Sequence, residues 1–258
     1  MRNALGLVFC AALLAMATTT AAAPPTGPEE DQGRRQRPQG FRFSPPRAWL
    51  GIRGGWTVAR ADSDIFDFNQ ENLTLHDSDF NAPTFGVDFG WTINRRLDVV
   101  FGVEYSSTSP RSEFRDFVDE LGVPIVQQTR LQQAPLTVGL RLNLVPRGHS
   151  IGNFTWVPSR LVPYIGAGGG FTWWRYEQFG DFVDFVDLSI FTDRFATDGF
   201  APTVHLFGGL DVSISPRISM SLEGRYAWAD DELALAFVGF DPIDLAGFRG
   251  AVGINFHF

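Results

Sequence analysis

His76-Asp77-Ser78 places an imidazole two residues from a hydroxyl. At that spacing a histidine can take the serine proton and ready the oxygen for attack on an acyl carbon. The other histidines, His149, His205 and His257, are too scattered to build a metal site. Cys10 is the only cysteine. Thiol catalysis, cysteine–zinc sites and disulfides are therefore excluded for any form lacking the N-terminus. No glycine-rich phosphate loop runs from a strand into a helix. What remains is a set of opposite charges inside apolar segments: Arg53, Asp88, Glu104, Arg141, Asp211, Glu223, Arg225 and Arg249. Such a set could line a narrow proton or ion path, or pair into a sealed core. Unpaired buried charge is costly, which favours the sealed core. No residue is assigned a catalytic, cofactor-binding or metal role, and no cofactor is expected.

Strands are what must hold those charges. From Trp49 onward no long stretch has convincing helical spacing, and two-residue alternation recurs in segments of about ten residues. At the C-terminus Ala246, Phe248, Gly250, Val252, Ile254, Phe256 and Phe258 share one face. Gly247, Arg249, Ala251, Gly253, Asn255 and His257 share the other. Phe85, Val87, Phe89, Trp91 and Ile93 alternate with Gly86, Asp88, Gly90 and Thr92. Segments starting at Leu97, Leu136, Val204 and Ile218 behave alike, and Trp49 to Val58 and Leu161 to Trp173 are weaker. That makes eight strands. His205 and His257 share the charged face, where lone histidines serve as hydrogen-bonded filling.

The links alternate in length. Asn94-Arg95-Arg96 and Ser215-Pro216-Arg217 make tight turns, whereas 60–82, 106–131, 175–200 and 229–244 are long. Short turns on one side and long loops on the other match an all-β fold, an eight-stranded antiparallel up-and-down transmembrane β-barrel. Val145 to Arg160 departs, being long for a periplasmic turn. Phe114, Phe117, Val118 and Leu121 have helical spacing, but Pro124-Ile125-Val126-Gln127 resumes as strand. A hairpin turning between Asp119 and Pro124 is expected there.

Membrane is favoured over water on three grounds. The second face carries small residues and a few opposite charges, which suits the narrow interior of an eight-stranded barrel. A closed barrel satisfies every backbone group in lipid. Trp49, Trp56, Trp91, Tyr105, Trp173, Trp174 and Trp228 fall near strand ends, as interfacial girdles do. The alternative is a soluble aromatic-rich sandwich.

Arg2, the apolar run Leu5 to Met16 and the small residues Ala17 to Ala23 have the form of a signal peptide cleaved after Ala22. The run is too short to span a bilayer as a helix, and Val8 and Phe9 before Cys10 do not suit a lipoprotein. The expected organisation is a signal peptide over 1–22, a flexible Pro/Arg-rich periplasmic lead-in over 23–47, and the barrel over 48–258. The 21 basic residues are all arginine, set against 29 acidic ones for a net charge of -8. That excludes a general nucleic-acid binder. A planar guanidinium pairs bidentately with carboxylates, which suits arginine rather than lysine to the interior.

Charge is also sorted along the chain. The long links hold six carboxylates from Asp62 to Asp79, four from Glu113 to Glu120, six from Glu177 to Asp198 and five from Asp230 to Asp244. Against them stand Arg60, Arg111, Arg115, Arg175 and Arg194. The opposite end carries Arg34, Arg35, Arg37, Arg42, Arg47, Arg95, Arg96, Arg147, Arg160 and Arg217. Either the loops are acidic because they are solvated, or they recruit divalent cations that bridge them to anionic headgroups.

The chain ends Gly253-Ile254-Asn255-Phe256-His257-Phe258, which resembles the C-terminal assembly signal of outer-membrane proteins: a glycine, then alternating aromatics, the last one terminal. Ala251 replaces the usual polar residue two before the glycine. The region from Trp49 to Phe258, including Pro163 to Gly170, is similar to the small OmpA-type or OmpW-type eight-stranded barrel domains of bacterial outer membranes. The resemblance implies an outer-membrane location with both termini periplasmic. Its implied partners are outer-membrane lipid, lipopolysaccharide and the assembly machinery, which would read Gly253, Phe256 and Phe258. The His76-x-Ser78 spacing also resembles that of lipid-A-trimming barrels, where the pair sits on a membrane-facing strand rather than in an acidic loop. The expectation is a non-enzymatic, monomeric barrel with a side-chain-filled lumen and a structural or surface-binding role. A narrow channel for small or hydrophobic solutes is the alternative, and a lipid-modifying enzyme the third reading.

Overall fold

The computed structural model describes residues 45–118, 122–151, 155–184, 189–233, 237 and 239–258. The signal peptide, the lead-in up to residue 44, and Asp119, Glu120 and Asp187 lie outside the described residues. The strands are β1 (Ala48–Ala59), β2 (Ala82–Thr92), β3 (Leu97–Thr108), β4 (Arg111–Val118), β5 (Pro124–Asn143), β6 (Gly148–Ile151), β7 (Thr155–Pro158), β8 (Leu161–Val183), β9 (Ile190–Ser215), β10 (Ile218–Asp231), β11 (Ile243–Asp244) and β12 (Gly247–His257). Eight of them close a ring in the order β1-β2-β3-β5-β8-β9-β10-β12, each antiparallel to its neighbours. At the seam the Ala48 N–H donates to the Phe258 carbonyl at 3.0 Å, and the Phe258 N–H donates back at 2.9 Å. The ring leaves no edge, so the ladder satisfies the backbone where lipid could not. The fold is an eight-stranded up-and-down transmembrane β-barrel.

On β5 inward and outward residues alternate without a break from Ile125 to Asn143, but their chemistry changes partway. Leu136, Val138, Leu140, Leu142 and Leu144 point outward and are exposed. Farther from the turns, the same face carries Gln132, Arg130 and Gln128. β8 switches between Trp173 and Arg175, and β9 between Phe200 and Asp198. The apolar band below the switch is about ten residues per strand, the length a tilted strand needs to cross a bilayer. Inward, that level carries charge and glycine. Above it β5, β8 and β9 run on for about ten residues more, roughly 30 Å of extended chain, and their inward face carries Leu131, Trp174, Tyr176 and Ala201 beside Gln127, Thr129 and Gln178.

This extension is the largest departure from expectation: the links 106–131 and 175–200 are mostly strand. β4 pairs with β5 as the expected hairpin, Val118 opposite Pro124. A helix, α1 (Asp64–Asn72), and a 3-10 turn (Asp77–Phe80) occupy the first long link. Asp64 and Asp67 sit in the first turn of α1, where they complement the helix dipole. Nine residues are too few for a helical period to stand out, and so the helix was not expected. Ile65, Phe66, Leu73, Leu75 and Phe80 pack with Leu131, Trp174, Tyr176, Ala201, Phe237 and Ile243 into an apolar core over the barrel. Trp49 and Trp174 are buried and point inward, so neither belongs to the girdle. Trp56, Trp91, Tyr105 and Trp228 do face outward and are exposed. The long link Val145 to Arg160 holds the small hairpin of β6 and β7.

Candidate functional site

Alternation on seven strands delivers all eight sequence-selected charges to the barrel interior. At mid-height Arg53 of β1 reaches three carboxylates on three strands. It lies 2.8 Å from Asp88 and 3.0 Å from Glu223, and also contacts Glu104. Arg225 pairs with Glu223 at 2.8 Å and Glu104 at 3.4 Å. Arg249 donates to Glu104 at 3.1 Å and to the Gln133 side-chain oxygen at 3.0 Å. The Tyr164 hydroxyl donates to Glu223 at 3.0 Å. Three guanidiniums thus meet three carboxylates.

A second cluster lies toward the short turns. Arg141 pairs with Asp211 and stacks on Tyr164, its guanidinium carbon 3.5 Å from the ring centroid. Asn143 bridges it to Asp98: the Arg141 Nε lies 3.2 Å from the Asn143 oxygen, and the Asn143 amide donates to Asp98 at 2.9 Å. Arg147 turns in from the link between β5 and β6 to meet Asp98 at 2.7 Å. Ser219 and His257 hydrogen-bond at 2.9 Å beside it. Asp98 and Arg147 were not among the selected charges. Asp98 shares the parity of Glu104, a signal that was available; Arg147 lies in a link and offered none. Glycines let these large side chains fit. A Cβ at Gly90 would fall inside the Trp49 indole, and one at Gly209 would strike the Leu222 carbonyl and the Tyr164 hydroxyl. Voids of about 20 and 10 Å³ remain at this end and in the lumen, each room for about one water.

Above the charges lies a belt of hydroxyls and amides: Thr57 with Thr84 at 2.5 Å and Thr172 with Thr203 at 2.7 Å. The apolar core begins there. Within it the Asn69 amide donates to the Tyr176 hydroxyl at 2.6 Å and to the Ile65 carbonyl at 2.7 Å. Gln178 donates to the Asn69 oxygen at 2.6 Å, and Trp174 Nε1 to Asp231 at 2.7 Å. Burial pushes the Tyr176 hydroxyl above its ordinary range. Between α1 and the tips of β8 and β9 lies a cavity of about 190 Å³, lined by Phe68, Phe114, Phe182, Phe195, Phe237 and Phe240 with Asn69, Asn72, Gln127 and Gln178.

The His76–Ser78 pair does not assemble. His76 Nδ1 lies 3.8 Å from Asp79, whose carboxylate accepts from the His76 N–H at 2.9 Å. His76, which caps the 3-10 turn, and Ser78 within it are both exposed. Several loop carboxylates also have protein partners. Asp62 and Asp244 flank Arg60, Asp77 accepts from Gln70, and Asp181 accepts from Thr192. Among the described residues no three histidines, cysteines or carboxylates converge as metal ligands would. Gly253 faces inward while Phe256 and Phe258 face outward and are exposed.

No protein-family model matches this sequence, and no curated protein matches it significantly. Solved outer-membrane proteins do match in structure. Neisserial surface protein A is 10% identical over 82% of this chain and 96% of its own, with a TM-score of 0.44. OprG from Pseudomonas aeruginosa is 13% identical over 83% and 97%, with a TM-score of 0.43. The outer-membrane protease OmpT from Escherichia coli is 10% identical over 85% and 99%, with a TM-score of 0.39. A surface protein and a protease stand among these neighbours, and a likeness of this degree passes on neither role.

Proposed function

We propose that this chain is a sealed, non-enzymatic outer-membrane barrel with a structural or surface-binding role, carried by the part built above the membrane on β5, β8 and β9. The observation that carries this reading is the interior. Arg53, Arg141, Arg147, Arg225 and Arg249 are matched one for one by Asp88, Asp98, Glu104, Asp211 and Glu223. An apolar core covers them. A balanced, close-packed network is what buried charge requires, and it leaves no continuous water path. Both termini are periplasmic, the chain works as a monomer, and the assembly machinery reads Gly253, Phe256 and Phe258. Reconstitution into a planar bilayer tests the seal: no stepwise conductance is expected, and discrete openings would overturn it. The phenylalanine-lined cavity favours one second reading, entry of small hydrophobic solutes from outside. Uptake of such a solute by vesicles carrying the barrel, above that of empty vesicles, would support it.

A further inference from the structure

The arginines above the membrane are Arg60, Arg111, Arg115, Arg130, Arg175 and Arg194. Arg130, Arg175 and Arg194 sit on the adjacent strands β5, β8 and β9 and converge on one carboxylate, Glu177. Arg175 Nε lies 3.6 Å and Arg130 Nη1 3.9 Å from it, and Arg194 contacts it directly. Glu177 is on the outward face of β8 yet its side chain is only 2% exposed, whereas the arginines are 37 to 61% exposed. Asp198 faces Arg175 across the ladder. Asp181 and Asp193 lie nearby, so the patch carries no net excess of cations; what it presents is exposed guanidinium around a buried carboxylate. The apolar band on the same face ends at Trp173, the outward neighbour of Arg175, and at Leu136 and Phe200, each six residues along its strand from Arg130 and Arg194.

We infer that Arg130, Arg175 and Arg194 form a binding site for the phosphate groups of lipopolysaccharide packed against the barrel. The inference rests on the outer-membrane reading above. Acyl chains lying on Leu136, Trp173 and Phe200 bring their headgroup phosphates to the height of these guanidiniums. Guanidinium is the side chain suited to bidentate phosphate contact. Glu177 holds the three side chains together beforehand, which lowers the cost of ordering them on binding.

The test uses the full mature chain folded in phosphatidylcholine nanodiscs and titrated with bisphosphorylated lipid A, read by tryptophan fluorescence, since Trp173 and Trp174 adjoin Arg175. Saturable binding is expected. Replacing all three arginines by glutamine should weaken it about tenfold or more, as should removing the lipid A phosphates. Arg194→Gln, the most exposed position, serves if the triple variant fails to fold, with about a threefold loss expected. Equal binding by a folded variant, or by dephosphorylated lipid A, overturns the site. Displacement of lipid A by millimolar inorganic phosphate would make it a free-anion site and overturn the lipid assignment. Heat-dependent gel mobility reports separately on the barrel: an unshifted wild-type band sinks the membrane reading, whereas a shifted band without phosphate selectivity sinks only this site.

Discussion

β5, β8 and β9 cross two environments with one alternation, and their two halves carry opposite contents. At membrane level the outward residues are Leu, Val and Phe and the interior holds Arg53, Glu104 and their partners. Above it, Arg130, Glu177 and Arg194 are outward and Trp174, Tyr176 and Leu131 inward. What lies outside the ring decides what belongs inside it. Lipid takes the apolar face, so the narrow interior is filled by polar groups, its arginines paired with carboxylates. Water takes the polar face, so the interior above can be an ordinary hydrophobic core.

Breaking the lower half should cost most. Arg53→Met leaves Asp88, Glu104 and Glu223 facing each other with one cation fewer, and should destabilise the folded barrel by about 3–5 kcal/mol. Urea titration followed by gel mobility measures it, and a neutral result would mean the lumen is hydrated rather than sealed. In the upper half, Phe66→Ala opens a cavity worth about 3 kcal/mol. Hydrogen exchange should then accelerate in 174–183 and 190–201 while 136–143 stays protected. Equal loss in both would show that the halves unfold as one unit.

The switch along β5 is tested on a single face. Leu140→Arg should cost about 2–4 kcal/mol, whereas Gln132→Arg, eight residues nearer the outer end, should cost under about 0.5. Similar costs would misplace the membrane boundary. The smallest effect is a pH dependence. Tyr176 holds its proton more tightly when folded, because burial disfavours phenolate. Its contribution is therefore intact below the ordinary tyrosine value of about 10 and lost as pH rises beyond it, by up to about 1.4 kcal/mol per unit for one proton. Tyr176→Phe should flatten that slope, and an unchanged slope would assign it to another group.

The lower half was legible because lipid enforces contrast. Strict alternation of Phe or Val with Gly, Asp or Arg exposed both the strands and the inward parity of Asp88, Glu104, Arg141, Asp211, Glu223, Arg225 and Arg249. The upper half was not. Gln127, Thr129 and Gln133 point inward beside Ile125 and Leu131, so the period blurs, and 106–131 and 175–200 resembled loops. Trp174 looked like a girdle residue because strand-end position is visible in sequence but the membrane boundary is not. The pairing of Arg141 with Asp211 and the inward turn of Arg147 join residues far apart in the chain, and no local pattern encodes them.

The sequence by itself determined the alternation, and with it the ring, the faces and the identity of most buried charges, because a two-residue period admits only two directions for a side chain. Only the tertiary structure decided which charges meet, how far β8 and β9 rise above the lipid, and that α1 completes a core over the lumen. Those outcomes depend on register between strands and on packing among distant segments, where a match is recognised only once the ring has closed.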